Sequence, residues 1–291
     1  MEISIKNVEH GVLVTPQCMP NPVPGIVFLH GSEGGWGDYW SSPSYTPKVG
    51  LEGNSILLAK TLAKSCFAVL HAPYFHSGEY KHLKRKIPEE LVNVPLESTF
   101  EALDWLKSQT YISKVGLLGA SRGGERAFLV NSYLRVEDQP SAMVAISPSL
   151  LSFTGIDKSH VKDLKKGLEP NWDDAITSWT LNKTAIPTWK KIDIELIENP
   201  VLYIYFKRDP AWGKDVQVQT IKPFIENINK KVNESLVSEI GFPDIPIIKQ
   251  IDWTGIAYNF EGHCLPNKEK YPDYSSKQLN VIIDFFKLHL S

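Results

Sequence analysis

The feature that most constrains the fold is the stretch KVGLLGASRGGERA at residues 114–127. Its first five residues form a short apolar run typical of a buried strand, and apolar residues from Arg122 onward recur on one side of a helix. Between them lies the pentapeptide GASRG at residues 119–123, a reversal too tight for side chains two positions either side of the serine. The segment therefore predicts a strand, a sharp turn and a helix, with the Ser121 hydroxyl raised above the strand end.

This turn also indicates a nucleophile. A serine in such a reversal faces the unpaired N–H groups of the helix start, which can bind the oxyanion formed when the hydroxyl attacks a carbonyl group. A solvated serine in a glycine-rich turn is the alternative, because a bare Gly-X-Ser-X-Gly occurs by chance in about one chain in ten of this length. The placement between an apolar strand and a helix favours Ser121 as the nucleophile.

Strands and helices alternate along the first half of the chain. The pattern predicts an N-terminal hairpin within residues 2–15, strands at 25–30, 67–70, 114–118 and 142–146, a helix at 55–64, and a helical stretch that begins at Pro88, breaks or kinks at Pro95 and runs to about residue 108. Right-handed crossovers turn this alternation into a mostly parallel sheet with helices on both faces. We expect residues 1–291 to form a single α/β domain.

The second half contains a long interruption of the pattern. Residues 147–199 contain no good strand and hold Trp172, Trp179 and Trp189 among polar residues, so we expect a lid or substrate-covering insertion. The alternative is a packed helical pair with the tryptophans as core anchors. The sheet then resumes at residues 201–206, a helix is expected at 216–228, residues 245–251 are the last strand candidate, and a helix ends the chain.

Three side chains in the order serine, aspartate, histidine follow predicted strands. Ser121, Asp209 and His263 would meet at the carboxyl ends of parallel strands, where open α/β sheets bind ligands. A serine hydroxyl needs a base, which His263 would supply, and Asp209 would fix the tautomer of the imidazole. Asp215 and then Asp252 are the alternative acids, and His30 is the alternative base.

A glycine-rich loop supplies the second half of a candidate oxyanion hole. The apolar run at residues 25–30 opens directly into HGSEGG at residues 30–35, so the backbone N–H of Ser32 is expected to join that of Arg122. A mobile turn is the alternative. The aromatic side chains expected to line a substrate pocket are Trp36, Tyr39, Trp40 and Trp179.

Composition limits the possible partners. The net charge of −2 gives no electrostatic reason to expect nucleic acid or an anionic membrane as a partner. No apolar run reaches the roughly 18 residues of a membrane span, and the N-terminus lacks signal-peptide character, so a cytoplasmic location is expected. Three scattered cysteines and the three histidines within residues 71–82 lack metal-ligand spacing, so we expect neither a metal nor a cofactor.

At these residues the chain resembles an α/β-hydrolase, and more narrowly the catalytic domain of the acyl-CoA thioesterase and bile-acid-CoA:amino acid acyltransferase family. The resemblance rests on GASRGGE at residues 119–125, the loop at 30–35, the segments SWT at 178–180 and AIP at 185–187, and DPAW at 209–212. The last of these is similar to the family's acid-then-tryptophan turn and favours Asp209 over Asp215. The resemblance implies an α/β-hydrolase fold and a serine enzyme acting on small-molecule acyl esters or thioesters.

The chain also departs from the family pattern. Thioesterases of the family carry an N-terminal β-sandwich domain, whereas twenty-four residues precede Gly25 here. Because the amidating members use a cysteine nucleophile, Ser121 indicates hydrolysis rather than transfer to an amine. The His-Gly start of the loop, where the family tends toward Gly-Gly, leaves open a carboxylesterase or dienelactone-hydrolase-like enzyme on small esters. A further alternative is a catalytically silent ligand-binding protein of this fold. Oligomeric state and acyl-group identity are not predicted.

Overall fold

The structure is a computed structural model that describes residues 2–17, 22–32, 55–75, 87–165, 175–209, 236–238, 247–249, 253–266 and 272–291. Its strands are β1 (Ile3–Val8), β2 (Gly11–Pro16), β3 (Val23–Leu29), β4 (Ala68–His71), β5 (Val94–Pro95), β6 (Ile112–Ala120), β7 (Ala142–Ile146), β8 (Trp179–Leu181), β9 (Thr184–Ala185), β10 (Val201–Arg208), β11 (Leu236–Ser238), β12 (Ile247–Lys249), β13 (Trp253–His263) and β14 (Leu265–Pro266). The helices are α1 (Ser55–Lys64), α2 (Glu97–Lys107), α3 (Arg122–Tyr133), α4 (Lys158–Lys165) and α5 (Pro272–Leu290), with short 3-10 turns at Val136–Asp138 and Ile194–Leu196.

The main sheet is parallel at its centre and antiparallel at its edges. Its order is β1-β2-β4-β3-β6-β7-β10-β13-β12-β11, with β14 paired to the end of β13. The six strands from β4 to β13 in this order run parallel, whereas β1, β2, β11, β12 and β14 pair antiparallel. The predicted N-terminal hairpin and the mostly parallel sheet are therefore confirmed.

Helices cover both faces of the sheet, because the central strands are apolar on both sides. Helices α2 and α3 pack on one face, where Leu106 and Phe128 join a core that includes Leu117 of β6. Helices α1 and α5 pack on the other face, where Leu62 and Phe286 join a core that includes Leu118. Successive residues of β6 thus enter opposite cores, as the alternation of side chains along a strand requires.

The segment around Pro88 differs from the expectation of a helix. Backbone N–H groups of Leu91, Asn93, Val94 and Leu96 instead donate to carbonyl groups of residues 156, 177, 178 and 180. These bonds make β5 a strand parallel to β8, and β9 completes a second, three-stranded sheet. The expectation that residues 147–199 lack strands was wrong too, since β8 pairs with the distant β5 on one side and with its neighbour β9 on the other.

The last parallel strand also differs from the expectation. Residues 247–249 form only a short antiparallel strand, and β13, which begins at Trp253, is the strand that pairs parallel with β10. Residues 258–263 therefore belong to the strand rather than to a loop after it. The apolar pattern of β13 is interrupted at Thr254, Gly255 and Asn259. The backbone hydrogen bonds that β13 makes with the strands on both sides do not depend on that pattern.

Candidate active site

Strand β6 ends in the turn that carries Ser121. The backbone of Ser121 has φ 51° and ψ −119°, a strained conformation for a residue with a side chain. A Cβ atom on Gly119 would lie 2.2 Å from the carbonyl oxygen of Gly123, and one on Gly123 would lie 2.3 Å from the carbonyl oxygens of Leu29 and His30. Glycine is therefore required at both positions, as the pentapeptide predicts.

The side chains of Ser121, His263 and Asp209 form one hydrogen-bonded chain. The distance from His263 Nε2 to Ser121 Oγ is 2.9 Å, and His263 Nδ1 lies 2.7 Å and 2.9 Å from the two carboxylate oxygens of Asp209. Because a carboxylate can only accept, Nδ1 carries a proton, and in the neutral ring Nε2 accepts from the serine hydroxyl. All three residues are buried.

The sheet topology accounts for this convergence. Asp209 directly follows β10 and His263 is the last residue of β13, and these two strands are parallel neighbours. Ser121 follows β6, separated from β10 only by β7, and its backbone N–H donates to Ile146 at 2.8 Å. Three residues far apart in the sequence thus meet at the carboxyl ends of β6, β10 and β13, which lie within four consecutive strands of the sheet.

The charge on Asp209 governs the titration of His263. Complete burial disfavours the imidazolium and by itself would lower the pKa of His263. The adjacent Asp209 carboxylate outweighs burial, together with contributions from Cys264, so that the pKa of His263 is well above its ordinary value of 6.5.

The residue after His263 is held from two sides. Cys264 has φ 61°, and its N–H donates to Ser147 Oγ at 3.1 Å. Its carbonyl accepts a hydrogen bond from Gln278 Nε2 of α5 at 2.5 Å. Sequence reasoning missed Ser147 and Gln278, because neither stands in a motif.

The alternative base, His30, has a different environment. Its ring is fully buried, stacks on Tyr74 with 4.3 Å between ring centroids, and has Nδ1 2.8 Å from the carbonyl oxygen of Gly31. Burial lowers the pKa of His30 to about 3. It is His263, and not His30, that contacts the Ser121 hydroxyl.

The two expected oxyanion donors lie on the segments that meet at the turn. Arg122 is the first residue of α3, where the helix provides no acceptor for its N–H. The carbonyl groups of Leu29 and His30 abut Gly123, which brings the end of β3 against this helix start. Ser32 follows two residues later, and its role as a donor stays a prediction.

The expected pocket residues divide into two groups. Trp36, Tyr39 and Trp40 lie outside the described residues, as do the alternative acids Asp215 and Asp252. Trp179 is fully buried, and its indole N–H donates to Glu125 at 2.5 Å. This placement is what the core-anchor alternative predicts for Trp179. The lid role of residues 147–199 stays a prediction.

A family model described as "BAAT / Acyl-CoA thioester hydrolase C terminal" matches residues 94–248, more than half of the chain. The chain belongs to this family. Acyl-coenzyme A thioesterase 1 of Mus musculus is 24% identical to this BAAT / acyl-CoA thioester hydrolase C-terminal chain over 227 residues, which cover 73% of the chain and 46% of that protein. The chain thus spans about half the length of this curated relative.

Solved structures share the fold of this family member at low identity. A dienelactone hydrolase from Anabaena variabilis matches with a TM-score of 0.52 and 16% identity over 100% of both chains. An esterase from Pyrococcus furiosus matches with a TM-score of 0.57 and 16% identity, over 99% of this chain and 92% of the other. The architecture is therefore the α/β-hydrolase fold. No helix within the described ranges has the length and apolar character to cross a membrane.

Proposed function

We propose that the chain is a serine hydrolase that cleaves acyl esters or thioesters through an acyl-Ser121 intermediate. The observation that carries the proposal is the continuous hydrogen-bonded chain from Ser121 Oγ through the His263 imidazole to the Asp209 carboxylate. The family match supports a thioester or ester as the substrate class.

The geometry supports a two-step mechanism. His263 Nε2 accepts the Ser121 proton as Oγ attacks the acyl carbonyl carbon, and the oxyanion is bound by backbone N–H groups at the start of α3 and in the loop after β3. His263 then gives the proton to the leaving alcohol or thiol, which departs as the acyl-serine forms. A water molecule, deprotonated by His263, attacks the acyl-serine and releases the acid, and the proton returns to Ser121.

A fluorophosphonate probe tests the nucleophile. We expect it to label Ser121 in the wild-type chain and to leave Ser121→Ala unlabelled, because the Ser121 hydroxyl lies in hydrogen-bond contact with the His263 imidazole. Ser132→Ala is the matched control, since Ser132 lies on the same helix and its hydroxyl donates to the Leu129 carbonyl. Ester turnover by a wild-type chain that the probe does not label would contradict the proposal.

Substrate class needs its own measurement. A panel of acyl-CoA thioesters and aryl esters of matched acyl length, assayed as kcat/KM, separates a thioesterase from a carboxylesterase on small esters. The proposal predicts turnover of at least one of the two classes that Ser121→Ala abolishes. Tight binding of the acyl compounds without turnover would instead favour a silent ligand-binding protein.

A further inference from the structure

The carboxylate of Glu125 lies one helical turn from Ser121, is fully buried, and has no part in the mechanism above. Its Oε2 accepts a hydrogen bond from Arg122 Nη1 at 2.5 Å. Its Oε1 accepts from the indole N–H of Trp179 at 2.5 Å and from the backbone N–H of Phe153 at 2.9 Å. Three N–H donors therefore surround one buried carboxylate.

The Arg122 side chain extends these contacts to the residue after the nucleophile. Its Nη2 donates to the Thr154 carbonyl at 3.0 Å and to Ser178 Oγ. Its guanidinium also lies over the rings of Phe153 and Trp179, at 5.3 Å and 5.6 Å from their centroids. We call Glu125, Arg122, Ser178 and Trp179 the elbow latch, because they join the first turn of α3 to residues 153–154 and 178–179.

A buried ion pair is a poor means of gaining stability. Removing two charges from water costs about as much as their attraction returns, and apolar side chains of similar volume often stabilise a fold better. Burial raises the pKa of Glu125 even though the Arg122 guanidinium and the other N–H donors act in the opposite direction. The latch therefore requires an explanation beyond stability, and its position beside Ser121 supplies one.

We propose that Glu125 is a positioning residue for the oxyanion site. By holding the Arg122 guanidinium against residues 153–154 and 178–179, Glu125 fixes the first turn of α3 and the direction of the Arg122 backbone N–H. This inference rests on the proposed serine hydrolysis, in which that N–H binds the developing oxyanion. A donor that is preorganised before reaction contributes most to transition-state stabilisation, and a displacement of about 1 Å can cost about 10²-fold in rate.

Glu125→Gln tests the role, because the substituted amide oxygen can still accept from Trp179 and Phe153 whereas Arg122 loses its counter-charge. With active serines counted by fluorophosphonate titration, we expect kcat per labelled serine to fall about 10²-fold. KM for a small neutral ester should stay within about threefold. Affinity for a boronic acid that forms a tetrahedral adduct on Ser121 should fall in parallel with kcat. Glu125→Asp, which keeps the charge, should recover part of the loss.

Two further variants keep the test decisive. Asn131→Ala is the matched control, because Asn131 is a buried residue of α3 whose side-chain hydrogen bonds within the described residues involve no member of the elbow latch. Its Nδ2 donates to Asn199 Oδ1 at 2.8 Å. It should lower the unfolding midpoint and leave kcat per labelled serine unchanged. Trp179→Phe removes one donor to Glu125 and carries the test if Glu125→Gln does not fold, with an expected loss of about tenfold in kcat.

The outcomes separate this inference from the proposed function. The positioning role would be overturned if Glu125→Gln kept the wild-type kcat per labelled serine. If Glu125→Gln does not fold, a wild-type kcat per labelled serine in Trp179→Phe would overturn it. Serine hydrolysis would stand in both cases. A wild-type chain that neither reacts with the probe nor turns over any ester or thioester would remove the proposed function, and the positioning role would fall with it.

Discussion

Electrostatics, as well as packing, fix the state of the His263 ring. As a general base it must be neutral, yet the Asp209 carboxylate holds its pKa well above 6.5. We therefore expect kcat/KM to rise with pH through a midpoint above 6.5. The same shift contributes to the stability of the fold below pH 6.5, where the ring is charged in both states, and this contribution is lost as pH rises through the folded-state pKa.

Asp209→Asn should change both the pH profile and the rate. Without the carboxylate, burial governs the His263 pKa, so the acid limb of kcat/KM should move to lower pH. The rate should fall about 10⁴-fold, because nothing then selects the tautomer that accepts the serine proton. Profiles measured with a neutral ester between about pH 5 and 10 check this. An unshifted acid limb would show that the limb does not report His263.

Residue patterns predicted the chemistry of the site better than its supports. Ser121 and Asp209 each follow a strand, His263 is the last residue of one, and all three stand in a recognisable sequence context, so their approach could be predicted. The partners of Arg122 could not, because Ser178 and Trp179 reach it only through tertiary packing. The i,i+3 spacing of Arg122 and Glu125 was the one signal available for the latch.

Between elements, the approach of β3 to α3 is limited by backbone atoms. A methyl group on Gly123 would collide with two carbonyl oxygens of β3 and the residue after it, at 2.3 Å, whereas one on Gly124 would meet the ring of Pro148 at 2.9 Å. Carbonyl groups in a strand ladder cannot move aside as a side chain can. The two glycines therefore tolerate substitution differently.

Gly123→Ala and Gly124→Ala form a matched pair for this contact. We expect Gly123→Ala to destabilise the fold by about 3 kcal/mol or more, and Gly124→Ala by about 1 kcal/mol. Urea unfolding of both variants measures the difference. Equal urea midpoints for the two variants would mean that β3 shifts to accommodate the methyl group added at Gly123.

Local rules predicted some elements and failed for others, depending on where the hydrogen-bond partners lie. Helix α5 shows its apolar face within its own sequence, and Ile282 and Phe286 are buried as the spacing predicts. Strand β5 has two residues and is determined by pairing with residues 179–180, more than eighty positions away, so its sequence could not reveal it. Strand β13 was misplaced because Gly255 and Asn259 interrupt its apolar pattern.

The stability of the whole fold depends on the packing of α5 against the sheet. Gly116 of β6 leaves space for this helix, since a Cβ there would lie 2.7 Å from the Phe286 ring. Phe286 is fully buried, whereas Leu288, two residues later, is 75% exposed. The same helix therefore offers a core residue and a surface residue for comparison.

Phe286→Ala should lower the free energy of unfolding by about 3 to 5 kcal/mol, because the truncated side chain leaves a cavity against β6. Leu288→Ala is the control and should change it by no more than about 0.5 kcal/mol. Thermal and urea unfolding check both values. A similar loss of unfolding free energy in the two variants would contradict the packing of Phe286 against β6.

The bond between Gln278 and the Cys264 carbonyl has a consequence for the order of assembly during synthesis. A ribosome translates residues 272–290 after His263, so the nucleophile turn leaves the exit tunnel before the support of the imidazole does. We expect a nascent chain at that stage to be unreactive toward acyl donors. The reactive serine would then gain its basic partner only after α5 has emerged and docked.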